Sequence, residues 1–441
     1  MTSAPLSTSN ATALGVRPGA PLAGAVTVSG SKNAALPLIA TAATLMRPVR
    51  IENLPASTDV EVLVALLGTM GTHVDRPVGD SGTMIVTNTA GECSPERELA
   101  ARIRVSYYLV PALLARVGLA RLPWPGGCRI GDRGMELHLR IYEAFGDRVR
   151  ADAQGYEVRR SGEGEISAVR HQLPFRSRGA TIAAVLRATI GRRPLRLGNP
   201  NLSPETLTVL DVLRTTGWSV QATEALLSLD PAPTIASDVL LPTWRVPGDK
   251  IEAGTLACAV IATGGTARID GVLERDVLPL VTKLLGMGIP VHMQGTALYV
   301  DGHGTKPTGR PVEALASLAP DGLDADFEPL LMALALGFPG AHRFADALNP
   351  GRHGNLIPEL RKLGAAIEET SPTECRLTGP QRCTGTQVVA TDIRTGAALV
   401  IAGLTARGVT TLTGLDQLRR GYTDLPGKLA SLGADVFAVT P

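Results

Sequence analysis

Aromatic residues are scarce: Phe, Trp and Tyr make up 3% of the 441 residues. So few flat side chains leave little platform for stacking the bases of single-stranded nucleic acid. An excess of charge is also missing, because 43 Lys and Arg stand against 41 Asp and Glu for a formal balance of +2. No general positive field exists to hold nucleic acid or an acidic membrane, so an anionic ligand must be met by a local cluster of cations. Cysteine is limited to positions 93, 128, 258, 375 and 383, an odd count without a CxxC pair. That pattern argues against a disulfide framework and against a structural zinc site. No run reaches the roughly 18 uninterrupted apolar residues of a membrane-spanning helix. The segment from Met1 to Gly30 lacks the basic start and apolar core of a signal peptide, so a cytoplasmic location is expected. P-loop, GxGxxG, HExxH and EF-hand patterns do not occur, and neither a cofactor nor a metal is expected.

Apolar residues are plentiful. At 44% hydrophobic and 19% charged, the chain can bury a large core. Its length suggests two or three domains at about 150 residues each. One phrase recurs along it: a helical apolar pattern, a glycine, two residues, then Val or Ile opening a strand. The glycines are 71, 146, 217, 288, 364 and 433, spaced by 75, 71, 71, 76 and 69 residues. Each reads as a left-handed helix stop, where the absence of Cβ removes the steric cost. Upstream lies a second, alanine- and leucine-rich helical run leading into a short strand, such as Ala34–Met46 into Val49–Ile51 and Thr181–Ile190 into Leu195–Leu197. Thr255–Ala262 into Ala267–Ile269 and Ala397–Ala406 into Thr410–Leu412 repeat it. A period near 72 exceeds the ~20–50 residues of solenoids and propellers. It fits six small α/β modules packed into larger bodies.

The segment Leu122-Pro-Trp-Pro-Gly-Gly-Cys-Arg-Ile-Gly-Asp-Arg-Gly134 is a loop by its Gly and Pro content. It presents Cys128 beside Arg129 and Arg133, cations that favour the reactive thiolate. A Gly-rich hairpin with an incidental cysteine, or a Cys–His pair with His138, are the other readings that composition leaves open. In Val28-Ser-Gly-Ser-Lys-Asn-Ala-Ala-Leu36, Ser31 or Asn33 is placed to cap the following helix, whose N-terminus together with Lys32 attracts anions. Two further basic spots are Arg176-Ser-Arg178-Gly179, ahead of an alanine-rich helix, and Leu418-Arg-Arg-Gly-Tyr422.

The run SGSKNAALPL, followed about 95 residues later by PGGCRIG-x-R, resembles the UDP-N-acetylglucosamine enolpyruvyl transferases. These belong to one superfamily with the 3-phosphoshikimate enzymes. The resemblance continues through Asp249-Lys-Ile-Glu-Ala-Gly-Thr255, Ile357-Pro-Glu-Leu360, Ala390-Thr-Asp-Ile-Arg394 and Arg420-Gly-Tyr422. It implies a fold of two inside-out α/β domains, each of three repeats about a pseudo-threefold axis. One domain would be residues 1–31 plus 248–441, built from both chain ends, and the other residues 32–247 with the Cys128 loop.

The implied reaction moves the enolpyruvyl group of phosphoenolpyruvate to a hydroxyl of a uridine nucleotide and releases phosphate, by addition and then elimination. Such chemistry requires a proton donor for the methylene carbon, a base for the acceptor hydroxyl, and cations for phosphate and carboxylate. By resemblance Cys128 is the proton donor, Lys32, Arg133, Arg394 and Arg420 match cationic positions, Arg104 is a further match, and Asn33 matches an acceptor contact.

Departures fall on the acceptor side. The family's acceptor-facing aspartate sits in a Pro-Thr-Asp segment before a helix, and here that stretch reads Ala319-Pro-Asp-Gly-Leu-Asp-Ala-Asp-Phe327. Asp321 is the expected carboxylate, with Asp324 in reserve. The uracil-binding stretch reads Arg133-Gly-Met-Glu-Leu-His138, which brings in Glu136 and Leu137. The family's Lys-x-Ser-Val-Gly-Ala phosphate contact reads Phe175-Arg-Ser-Arg-Gly-Ala180, so Arg176, Ser177, Arg178 and Gly179 are expected at the acceptor. The family's Glu-Asn-Arg-Phe segment is replaced around Leu348-Asn-Pro-Gly-Arg352. UDP-N-acetylglucosamine is the first acceptor expected. The alternative is UMP, as in the 3′-enolpyruvyl transferases of nucleoside-antibiotic pathways, because two arginines suit a terminal phosphate. A non-catalytic nucleotide-binding paralogue is the rival of another class, and retention of Cys128 with Lys32, Arg133 and Arg420 argues against it.

Overall fold

The computed structural model describes residues 12–45, 47–88, 95–126, 134–162, 167–232, 241–303, 310–319 and 321–439. They form two compact units, one from residues up to 29 together with those from 248 onward, the other from residues 30–247. Each unit has its own hydrophobic core.

Small side chains explain the architecture. The helices Lys32–Thr44, Arg178–Thr189, Lys250–Ala262 and Ile393–Gly403 are rich in Ala, Gly and Thr and are buried almost all round. A helix without a polar face must lie inside its body. The sheets take the outside and alternate buried with more exposed residues, as in Thr266–Asp270. Second helices such as Glu274–Gly286 and His353–Lys362 bury one stripe each.

Six sheets are found among the described residues, three in each unit. In the sheet containing Ala23–Thr27, that edge strand pairs parallel with Thr266–Asp270. The latter pairs antiparallel with Ala297–Asp301, which pairs antiparallel with Val291–Gln294. Four more sheets repeat this order and these directions. The sixth shows three antiparallel strands, Leu119–Pro123, Gly155–Arg159 and Arg148–Asp152. Ala13–Arg17 lies between Thr410–Thr413 and Asp435–Val439, which ties the start of the described chain to its end.

All six repeat glycines adopt left-handed φ, between 73° and 97°, so the spacing read from the sequence marks the same turn six times. Helix starts differ from the periodicity. Lys250–Ala262, Arg178–Thr189 and Ile393–Gly403 begin with polar first turns capped by Asp249, Ser177 and Asp392, ahead of the apolar run. Ser31 stands at an N-cap position but its side chain makes no cap bond, and Asn33 is already inside the helix. No described helix is long and apolar enough to cross a membrane.

Candidate active site

In the unit of residues 30–247, Lys32 opens a buried helix. Its Nζ lies 3.2 Å from Asp59 Oδ2, with both side chains nearly buried. Asp59 is in the first turn of Thr58–Thr69, where the helix dipole favours a negative charge. Sequence reasoning missed this partner, since a lone Asp 27 positions from Lys32 carries no local signal.

A second group in this unit gathers at the start of Arg178–Thr189. Ser177 accepts a hydrogen bond from the Ala180 amide at 3.3 Å. A Cβ placed on Gly179 would lie 2.3 Å from His138 Nε2 and 2.7 Å from the Tyr107 hydroxyl, so the position admits glycine alone without repacking. The His138 and Tyr107 rings are 4.4 Å apart. Burial, and secondarily the Arg104 charge, pulls the His138 pKa down to about 3, so this imidazole is neutral at ordinary pH. It is suited to hydrogen bonding and not to pairing as a cation. Arg178 Nη1 lies 3.1 Å from Oε2 of Glu205, whose side chain is buried, and Arg176 lies 3.5 Å from the exposed Glu224. These arginines are therefore held by carboxylates. Leu137 is half-buried and Glu136 exposed, in the first turn of Glu136–Ala144.

In the other unit, Arg394 lies in the first turn of Ile393–Gly403. It donates to Asp326 from Nε to Oδ1 at 2.7 Å and from Nη2 to Oδ2 at 2.5 Å. This planar fork on a carboxylate is the geometry that guanidinium favours. Arg352 Nη2 donates to the same Asp326 Oδ1 at 3.3 Å. The neighbouring aspartates behave differently. Asp324 pairs with buried Lys250 at 2.7 Å, and Asp321 is exposed on a turn. Of the three aspartates in this stretch, Asp326 is thus the one paired with Arg394. The reason is local: Asp326 stands two residues before the helix Glu328–Ala335, in a chain already turned inward by buried Phe327. Arg420 caps Leu415–Arg419 and donates to Gln417 Oε1 at 3.4 Å. Nearby in sequence, the Tyr422 hydroxyl is 2.8 Å from Thr255 Oγ1. Cys128 and Arg133 lie outside the described residues. No group of His, Cys, Asp and Glu fit to hold a metal is found among the described residues.

Comparison with known proteins finds matches over nearly the whole chain. The family model for EPSP synthase (3-phosphoshikimate 1-carboxyvinyltransferase) matches residues 16–429. A UDP-N-acetylglucosamine 1-carboxyvinyltransferase of Halothermothrix orenii is 32% identical, covering 96% of this chain and 99% of that protein. UDP-N-acetylglucosamine 1-carboxyvinyltransferase 3 of Symbiobacterium thermophilum is 34% identical, covering 96% and 97%. Among solved structures, the enolpyruvyl transferase NikO from Streptomyces tendae superposes with a TM-score of 0.83 at 29% identity, covering 97% of this chain and 99% of that one. An EPSP synthase from Acinetobacter baumannii shares the fold, with a TM-score of 0.74 at 15% identity and coverage of 97% and 100%. On sequence and fold together, the chain belongs to the EPSP synthase family and is an enolpyruvyl (1-carboxyvinyl) transferase.

Proposed function

We propose that the enzyme transfers the enolpyruvyl group of phosphoenolpyruvate to a hydroxyl of a uridine nucleotide, with UDP-N-acetylglucosamine as acceptor. The carrying observation is the end-to-end match, at 32% and 34% identity, to relatives bearing that acceptor in their names.

In the addition step the acceptor O–H loses its proton to a carboxylate, its oxygen bonds to C2 of phosphoenolpyruvate, and the methylene carbon takes a proton from the Cys128 thiol. The tetrahedral ketal then loses a methyl proton and expels phosphate, which restores the double bond on the transferred group. We assign the carboxylate to Asp321, with Asp324 in reserve, because Asp326 is bound on both oxygens by guanidiniums, which stabilise its charge and weaken it as a base. Lys32, Arg133, Arg394 and Arg420 are assigned to the donor's phosphate and carboxylate, whose charge they would offset. Asn33, Arg104, Glu136, Leu137 and the stretch Arg176–Gly179 are assigned to the acceptor.

One observation favours UMP as the second reading. Arg178 stands at the N-terminus of a twelve-residue helix, steadied by buried Glu205. Guanidinium and helix dipole together suit a phosphomonoester more than an esterified diphosphate. Phosphate release from phosphoenolpyruvate, measured with UDP-N-acetylglucosamine and with UMP, separates the two. Turnover with the sugar nucleotide and none with UMP is the expected result, and the reverse would move the enzyme to the second reading.

A further inference from the structure

We propose that the solvent face of the sheet Leu119–Pro123, Gly155–Arg159 and Arg148–Asp152 is a binding site for a small phosphate-bearing anion, separate from the residues assigned to donor and acceptor. Alternation along the strands turns Arg121, Arg148, Arg150 and Arg159 to solvent, while Ala120, Leu122, Tyr156 and Val158 are buried. Glu157 and Asp152 are the carboxylates on that face. Exposed Arg97, in the first turn of Arg97–Arg102, stands at its rim. Five arginines thus meet two carboxylates, in a chain whose whole balance is +2.

The strand register makes this excess costly. Arg121 and Arg150 both stand opposite Glu157, but Arg148 stands opposite Arg159. Like charges directly opposite destabilise a sheet, so folding stability alone favours an acid at one of those two positions. The carboxylates compensate only in part. Glu157 is shared, with Arg121 Nε at 2.7 Å from Oε2 and Arg159 Nη2 at 3.6 Å from Oε1. Asp152 spends Oδ1 on the amides of Gln154 and Gly155, at 2.7 and 3.1 Å, and so holds the turn between its two strands. A local surplus of cations is what an anion requires in a chain without a general positive field.

A cavity of about 260 Å³ opens here, lined by Arg97, Arg121 and Arg150 together with Gln154 and Tyr156. It is smaller than the roughly 300–1,000 Å³ of sites for drug-sized ligands, so it suits phosphate or a small phosphate ester and not a nucleotide. Arg97 uses Nη2 on the Gln154 carbonyl at 2.9 Å, and Arg121 uses Nε on Glu157. The other N–H groups of these guanidiniums remain for a ligand, and such forks match the oxygens of a phosphate. None of the residues assigned to donor or acceptor lines this cavity. Its wall also holds Trp124, four positions before Cys128 in sequence: the indole N–H donates to the Asp152 carbonyl at 2.8 Å, and the ring lies 5.5 Å from that of Tyr156.

The test is calorimetric titration of the full chain with inorganic phosphate and with glucose 1-phosphate. It compares the parent, the double variant Arg97→Ser with Arg150→Ser, and Arg148→Ser; anion binding at the active site is common to all three and cancels. The double variant removes two lining guanidiniums and is expected to weaken binding by on the order of 10- to 100-fold. Should it not fold, Arg150→Ser alone decides by the same comparison. Arg148 shares the face but not the cavity, so Arg148→Ser should bind as the parent does. Tighter binding of glucose 1-phosphate assigns the site to phosphate esters, and tighter binding of phosphate assigns it to the free ion. Equal affinity of parent and double variant for both anions overturns the proposal. An equal loss in Arg148→Ser overturns it too, since that would mark a diffuse field without a built site.

Discussion

Arg394 grips Asp326 through both carboxylate oxygens, at 2.7 and 2.5 Å, across 68 positions of sequence. A cation expected to meet the donor is thus held in place by a buried carboxylate. Arg394→Ala should therefore lower donor use and leave Asp326 short of a partner. Removing one member of a buried charged pair costs about 3–5 kcal/mol. The remaining bond from Arg352 places the expected stability loss at the lower end, measurable by denaturant unfolding.

Lys32 and Asp59 form the corresponding pair in the other unit, 3.2 Å apart and nearly buried. Lys32→Ala should lose donor use by roughly 30- to 4000-fold, corresponding to about 2–5 kcal/mol for a truncated buried charge contact. Stability also falls, because Asp59 is left buried. The double variant Lys32→Ala with Asp59→Ala distinguishes the causes. Recovered stability without recovered turnover marks Lys32 as a donor contact, and recovery of both would make the pair purely structural.

Much of this was legible beforehand. The six glycines announced the repeat because a left-handed stop has a residue type of its own, and Lys32 and Arg394 stood in recognisable runs. Asp59, Glu205 and Arg352 were not legible, since each acts through a partner far away in sequence. The carboxylate partner of Arg394 was hidden for another reason. Three aspartates within six positions offer the same chemistry, and burial alone tells them apart. The polar first turns of the buried helices were likewise hidden from a reading based on apolar periodicity.

Cys128 should be alkylated by epoxides that mimic phosphoenolpyruvate, with loss of turnover. The described cysteines compete poorly: Cys258, Cys375 and Cys383 are buried, and burial pushes the first two thiols up to about 12. Cys128→Asp should keep proton donation yet resist the epoxide, because a carboxyl is a weak nucleophile. Peptide mapping of the inactivated enzyme checks the site, and full inactivation with the label elsewhere would remove Cys128 from the mechanism.

His138 gives the stability curve an acid limb. Its pKa falls from 6.5 to about 3 on folding, so the unfolded chain binds the extra proton between those values. The contribution is complete above about pH 6.5 and is lost progressively as pH falls toward 3, by a few kcal/mol at most. Chemical denaturation at about pH 7.5 and about pH 4.5 should show a smaller difference for His138→Gln than for the parent. Equal differences would mean that this imidazole is solvated.

Arg178 separates the acceptors. Arg178→Val, combined with Glu205→Gln to avoid a stranded buried carboxylate, should weaken UMP binding strongly and UDP-N-acetylglucosamine binding little, as read by calorimetric titration. Unaltered binding of both nucleotides would make the Arg178–Glu205 pair a structural link between two helix starts.

The most direct test of the enolpyruvyl transfer is mass analysis of the nucleotide after incubation with phosphoenolpyruvate, with released phosphate counted in the same sample. The expected result is UDP-N-acetylglucosamine carrying one enolpyruvyl group, formed one-for-one with phosphate. Phosphate released while every uridine nucleotide returns unmodified, or no phosphate released with any of them, would contradict it.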